Sequence, residues 1–138
     1  MQRPFVFGQS SRERLMGVHP DLIRVANRAL EISEYDFGIN EGVRTVETQE
    51  EYYASGVSKT MNSLHLMQAD DYAHAIDILV YVPGIGATYE HKYFRKVMQA
   101  FVTAAIELGV QLRFGGLWRD FVDSPHIELN GMYYRGDV

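Results

Sequence analysis

At 138 residues the chain has the length of one domain and can bury a sizeable core unaided. It is 46% hydrophobic, 12% aromatic and 22% charged, which excludes disorder over most of its length, and with no cysteine any metal must be held by His, Asp or Glu. A net charge of −5 argues against a nucleic-acid partner.

The opening MQRPFVFGQS lacks the basic start and apolar run of a signal peptide, and no later stretch is apolar enough to span a membrane. The chain is therefore expected to be made and folded in a cytoplasm, without stable membrane association. No repeat, low-complexity tract or linker divides residues 1–138, so a single catalytic domain is expected, with no separate binding domain.

Pro20 and Asp21 open the first predicted helix, and Leu22, Val25, Ala26, Ala29 and Leu30 share one of its faces. His19, just before it, belongs to the start of that helix. A short strand is predicted around Phe37 and Ile39. Thr45 can cap a second helix that Gly56 ends. In AHAIDILVYVPG, Ile76, Ile78, Val80 and Val82 alternate with Ala75, Asp77, Leu79 and Tyr81, and both sets are mostly apolar, which predicts a central strand. After a turn over residues 83–86, a long amphipathic helix is predicted from about Tyr89 to Leu108, with Gly109 ending it. VQLRF and HIEL read as two further strands. The expected fold class is α+β: a small, mainly antiparallel sheet with helices packed on one side.

Asp77 is the anomaly in this pattern. A carboxylate within an apolar strand must meet a cation, lie near a sheet edge, or bind a metal. His65, in MNSLHLMQ, and the element DSPH, which carries Asp123 and His126, each read alone as ordinary loop polarity. Together, His65, Asp77 and His126 supply two imidazoles and one carboxylate, a set suited to catalytic Zn²⁺ with one position left for water. Asp123, three residues before His126, would then serve as general base and later as acid. The helical HExxH signature is absent, so the ligands must come from dispersed positions.

The segments HPDLIRVANRALEIS, GVRTVETQ, SLH, AHAID, LRFGGLW and DSPHIEL occur in the order seen in the zinc-dependent D-Ala-D-Ala carboxypeptidase-like peptidases. From about Phe5 to Leu129 the chain most resembles the single-domain L-alanyl-D-glutamate endopeptidases that bacteriophages use as endolysins. The resemblance implies a fold shared with the signalling domain of hedgehog proteins. It implies His65, Asp77 and His126 as zinc ligands, Asp123 as catalytic acid/base, and Arg44 steadying the substrate or the charge on its carbonyl oxygen. It also implies Ser63 as a polar contact to substrate. The implied partner is the peptidoglycan stem peptide, met by a monomer that reaches the cell wall from the host bacterial cytoplasm once another protein breaches the membrane.

Between His65 and Asp77 the chain is roughly five residues longer than the family spacing, and Ala73 stands where Gly is expected, a length change that costs little loop entropy. His74, Asp70 and Asp71 in this segment are rival ligands, although His74 on a strand would face away from Asp77. Two alternatives stand beside the endopeptidase: a D,D-carboxypeptidase acting on D-Ala-D-Ala ends, and a zinc-stabilised binding module without turnover.

Overall fold

The computed structural model describes residues 4–58, 60–115 and 125–131. Asp123 and the C-terminal tyrosines Tyr133 and Tyr134 lie outside the described residues.

The predicted central strand, β2 (Ala75–Val82), organises the sheet. Strand β1 (Asp36–Glu41) runs antiparallel along one side of it, setting Phe37 opposite Val80 and Ile39 opposite Ile78. Along its other side lie two strands end to end. Strand β3 (Gly86–Thr88) folds back on the C-terminal half of β2, and β5 (His126–Leu129) pairs with the N-terminal half. Strand β4 (Leu112–Phe114) borders β5 on the outside, and these five strands pair antiparallel. Strand β3 and the first helix, α1 (Gln9–Arg14), had not been expected from the sequence. Both are too short for a hydrophobic period to show.

One face of the sheet is covered by α2 (Pro20–Ile32) and α4 (His91–Leu108). Helix α2 is capped by His19, whose Nδ1 accepts from the Asp21 N–H at 3.0 Å. The long helix begins at His91 rather than Tyr89, because the Glu90 N–H is already taken by Thr88 Oγ1 of β3 at 3.1 Å. The apolar stripes of both helices meet Ile76, Ile78, Val80 and Ile127, and the Phe37 and Phe101 rings pack at 5.3 Å between centroids. Each such fully buried side chain contributes about 1.5–3 kcal/mol. The opposite face carries Asp77, half-buried, and is bordered by α3 (Val46–Ser55), capped by Thr45 Oγ1 on the Thr48 N–H and closed by left-handed Gly56. No helix among the described residues is long and apolar enough to cross a membrane.

Candidate metal centre

The open face becomes a site through register. Asp77 on β2 stands directly opposite His126 on β5, and residues directly opposite in an antiparallel pair project to the same face. On the other flank of β2, Glu41 is also a partner of Asp77, brought there by an irregularity in β1 between Ile39 and Glu41. His65 arrives from the loop after α3. That loop is held by two backbone bonds: Arg44 N–H to His65 O at 2.8 Å and His74 N–H to Leu64 O at 2.7 Å. The result is a cleft of about 1000 Å³ whose wall includes Arg44, Tyr52, His65, Asp77, Arg113 and His126.

His65 Nε2 and His126 Nδ1 each lie 3.2 Å from the same oxygen, Asp77 Oδ1. The two rings cross edge to face with centroids 5.1 Å apart, and the ligand atoms of the three residues all lie within 4.8 Å of one another. The outer nitrogens are committed elsewhere. His65 Nδ1 meets Gly42 O at 2.8 Å, and His126 Nε2 meets Glu128 Oε1 at 2.7 Å. Both of these oxygens are acceptors, so they assign the ring protons to the outer nitrogens. In the neutral rings, the inward nitrogens then turn lone pairs toward an oxygen that also carries lone pairs. Such a trio needs a positive charge at its centre, either a proton or a metal ion. Atoms about 2.0–2.1 Å from a tetrahedral ion stand roughly 3.3 Å apart, which the two 3.2 Å contacts to Asp77 match. His65, Asp77 and His126 could therefore hold a metal.

The ionisation of the site agrees with this. Burial alone would lower the His126 imidazole, but hydrogen bonds to Asp77 and Glu128 outweigh it and push the pKa up to about 9. Burial would raise the Asp77 carboxyl, yet His126 and His65 hold it well below the usual carboxylate range. Without a cation the trio keeps a proton.

Arg44 and Ser63 border this centre. Arg44 Nη2 binds Glu41, Nη1 donates to Gln49 Oε1 at 2.7 Å, and the guanidinium lies 4.8 Å from the Tyr52 ring centroid. Ser63 Oγ accepts from the His65 N–H at 3.1 Å and faces Arg44 Nη1 at 3.5 Å. The rival ligands are placed elsewhere. His74 Nε2 binds Asp70 at 2.7 Å, and its ring crosses that of His19 at the start of α2. Asp71 occupies a left-handed turn (φ 67) in the longer segment. That segment is anchored rather than loose, since Ala73 exchanges backbone bonds with Gly17 and His19 at 2.9 Å.

Glu128, Glu41, Gly42 and Gln49 had not been singled out from the sequence. Glu128 had a legible signal: in a strand, the acid two residues after His126 shares its face. Gln49 is fully buried, with its amide bonded to Ser58 Oγ and Thr60 O, and nothing in the helical pattern marks it.

A family model described as phage L-alanyl-D-glutamate peptidase matches residues 3–130. The chain is 37% identical over 137 residues to the L-alanyl-D-glutamate peptidase of Escherichia phage T5, covering 97% of this chain and 96% of that one. It is 36% identical over 101 residues to the L-alanyl-D-glutamate peptidase of Listeria phage A118, covering 72% of this chain and 32% of that longer protein. Among solved structures it is similar to the Serratia marcescens L-Ala D-Glu endopeptidase ChiX, with a TM-score of 0.84, 34% identity, and coverage of 95% of this chain and 94% of that one. With ligand geometry, fold and full-length similarity in agreement, the chain belongs to the phage L-alanyl-D-glutamate peptidase family.

Proposed function

We propose that this chain is a zinc-dependent endolysin that hydrolyses the L-Ala–D-Glu bond of peptidoglycan stem peptides. The observation that carries the reading is the convergence of His65, Asp77 and His126 on one point in the cleft, with both outer ring protons already accepted by protein oxygens. Bound there, Zn²⁺ would supply Lewis-acid activation of water and of the scissile carbonyl near neutral pH.

The remaining work falls to the chain. His65 would hold the ion through Nε2 and His126 through Nδ1, while Gly42 O and Glu128 keep the rings from turning. Asp123 is assigned the proton transfers, from water to the departing amine. The Pro125 carbonyl accepts from the Ile78 N–H at 2.9 Å, so the chain two residues after Asp123 is fixed to the central strand beside the site. Arg44 is assigned the charge on the carbonyl oxygen, which requires one Nη to turn from Glu41 or Gln49 toward substrate. Ser63 keeps its own hydroxyl proton to donate into the cleft, because its oxygen is occupied as an acceptor.

Metal analysis and peptidoglycan digestion test this together. Digestion by the wild type should expose new N-terminal D-Glu. Release of D-Ala instead would favour the D,D-carboxypeptidase. Asp123→Ala should keep its metal and lose turnover by roughly 10²–10⁴-fold, whereas His126→Ala should lose both. Full activity of Asp123→Ala would remove the proton-transfer assignment.

A further inference from the structure

Among the described residues two guanidinium groups line the cleft, and they are bound very differently. Arg44 is 9% exposed and committed to Glu41 and Gln49. Arg113, on edge strand β4, is 54% exposed. Among the described residues its polar partner is Glu128, with Nη1 and Oε2 at 3.8 Å, an ion-pair separation too long for a hydrogen bond. Among the described residues no acceptor lies within hydrogen-bond distance of the Arg113 N–H donors, in a wall it shares with His126 and Asp77.

Register fixes its position. Arg113 stands opposite Glu128, which lies two residues beyond His126 on β5, so all three share the open face. The offset is about 5 Å across the strands and about 7 Å along them, within reach of an arginine side chain. Arg44 stands on the β1 side of the centre and Arg113 on the β4 side, so a peptide bond lying over the centre would have a guanidinium on either side.

The substrate chemistry matches this asymmetry, on the reading of the chain as an L-Ala–D-Glu peptidase. The glutamyl residue on the leaving side has two carboxyl groups, and the stem continues through only one. The other stays an anion near the scissile nitrogen unless it is amidated. Glu41, Asp77 and Glu128 line the same cleft, and uncompensated they would repel that anion. We propose that Arg113 is a specificity residue that binds the free carboxylate of the D-Glu residue and thereby selects stem peptides whose glutamate is not amidated. A guanidinium fits this task because its planar fork meets a carboxylate with two parallel hydrogen bonds.

The test compares two synthetic stem peptides, one with D-Glu and one with D-isoglutamine, using the zinc-loaded full chain as wild type, Arg113→Gln and Arg113→Lys. The wild type should prefer the carboxylate peptide by roughly 10- to 100-fold in kcat/KM, mainly through KM, as a charge-assisted contact predicts. Arg113→Gln should bring that ratio close to one, and Arg113→Lys should retain part of it. Calorimetric titration with the amine product that begins with D-Glu supplies a readout without turnover, and Arg113→Gln should weaken its binding by a similar factor. Equal cleavage of both peptides by the wild type would overturn the proposal. So would an equal loss on both peptides in Arg113→Gln, which would mark a disturbance of Glu128 and His126. If the wild type cut neither peptide, the peptidase reading itself would fail and the inference with it.

Discussion

Glu128 shows how much of a candidate metal site depends on residues that would not touch the ion. It is buried, accepts from His126 Nε2 at 2.7 Å, and so leaves Nδ1 turned inward beside Asp77. Partners of this kind are typically worth 10–100-fold in metal affinity. Glu128→Ala should accordingly weaken zinc binding by about that factor in a competition titration, while the apolar core on the other face of the sheet keeps the fold intact. Gly42 serves His65 in the same way through its carbonyl, and there only glycine fits. A Cβ at this position would lie 2.0 Å from Arg14 O, a backbone atom of α1 that cannot swing aside. Gly42→Ala should therefore destabilise the protein by about 1–3 kcal/mol in thermal unfolding and also weaken zinc binding, since the displaced carbonyl loses His65 Nδ1.

At the level of elements, the β2–β5 register is the decisive feature. Asp77 opposes His126, and a slip of one residue would send His126 to the helix-covered face. Much of this was legible in the sequence. Alternation in AHAIDILVYV identified the central strand and exposed Asp77 as a carboxylate needing a partner, and the capping residues placed α2 and α3. The pairing order was not legible, because β5 reaches β2 across a long stretch of chain and no local pattern encodes a partner strand. The support of His65 was hidden for a similar reason. Gly42 and Ser63 hold it through bonds that involve backbone atoms, which leave no trace in periodicity. Alternation of side chains argued against the rival ligand His74, which lies just before β2 with its Nε2 bonded to Asp70.

For the whole molecule, the proton held by the metal-free site makes stability depend on pH. His126 has a folded pKa pushed up to about 9 against about 6.5 unfolded, so its contribution is fully present below pH 6.5 and is lost as pH rises toward 9. Asp77 is depressed, so its contribution is present above its unfolded value and is lost as pH falls into the acid range. The metal-free protein should show a falling Tm between pH 6.5 and 9 in calorimetry. Zinc bound on the proposed reading would have to displace the His126 proton, so its apparent affinity should rise by up to roughly tenfold per pH unit over that interval, and the gap in Tm between loaded and metal-free protein should widen.

The positions of the three candidate ligands have a further consequence. His65 is 12 residues from Asp77, and Asp77 is 49 residues from His126. A cation bound to all three would cross-link the chain into a small ring and a large one, restricting the unfolded ensemble as a disulfide does. The large ring is tied to the centre through β5, a strand of only four residues. Chelation should thus release β5 and β4 before the helices, with the Ile127 and Leu129 amides exchanging faster in hydrogen-exchange measurements while the α2–α4 amides stay protected.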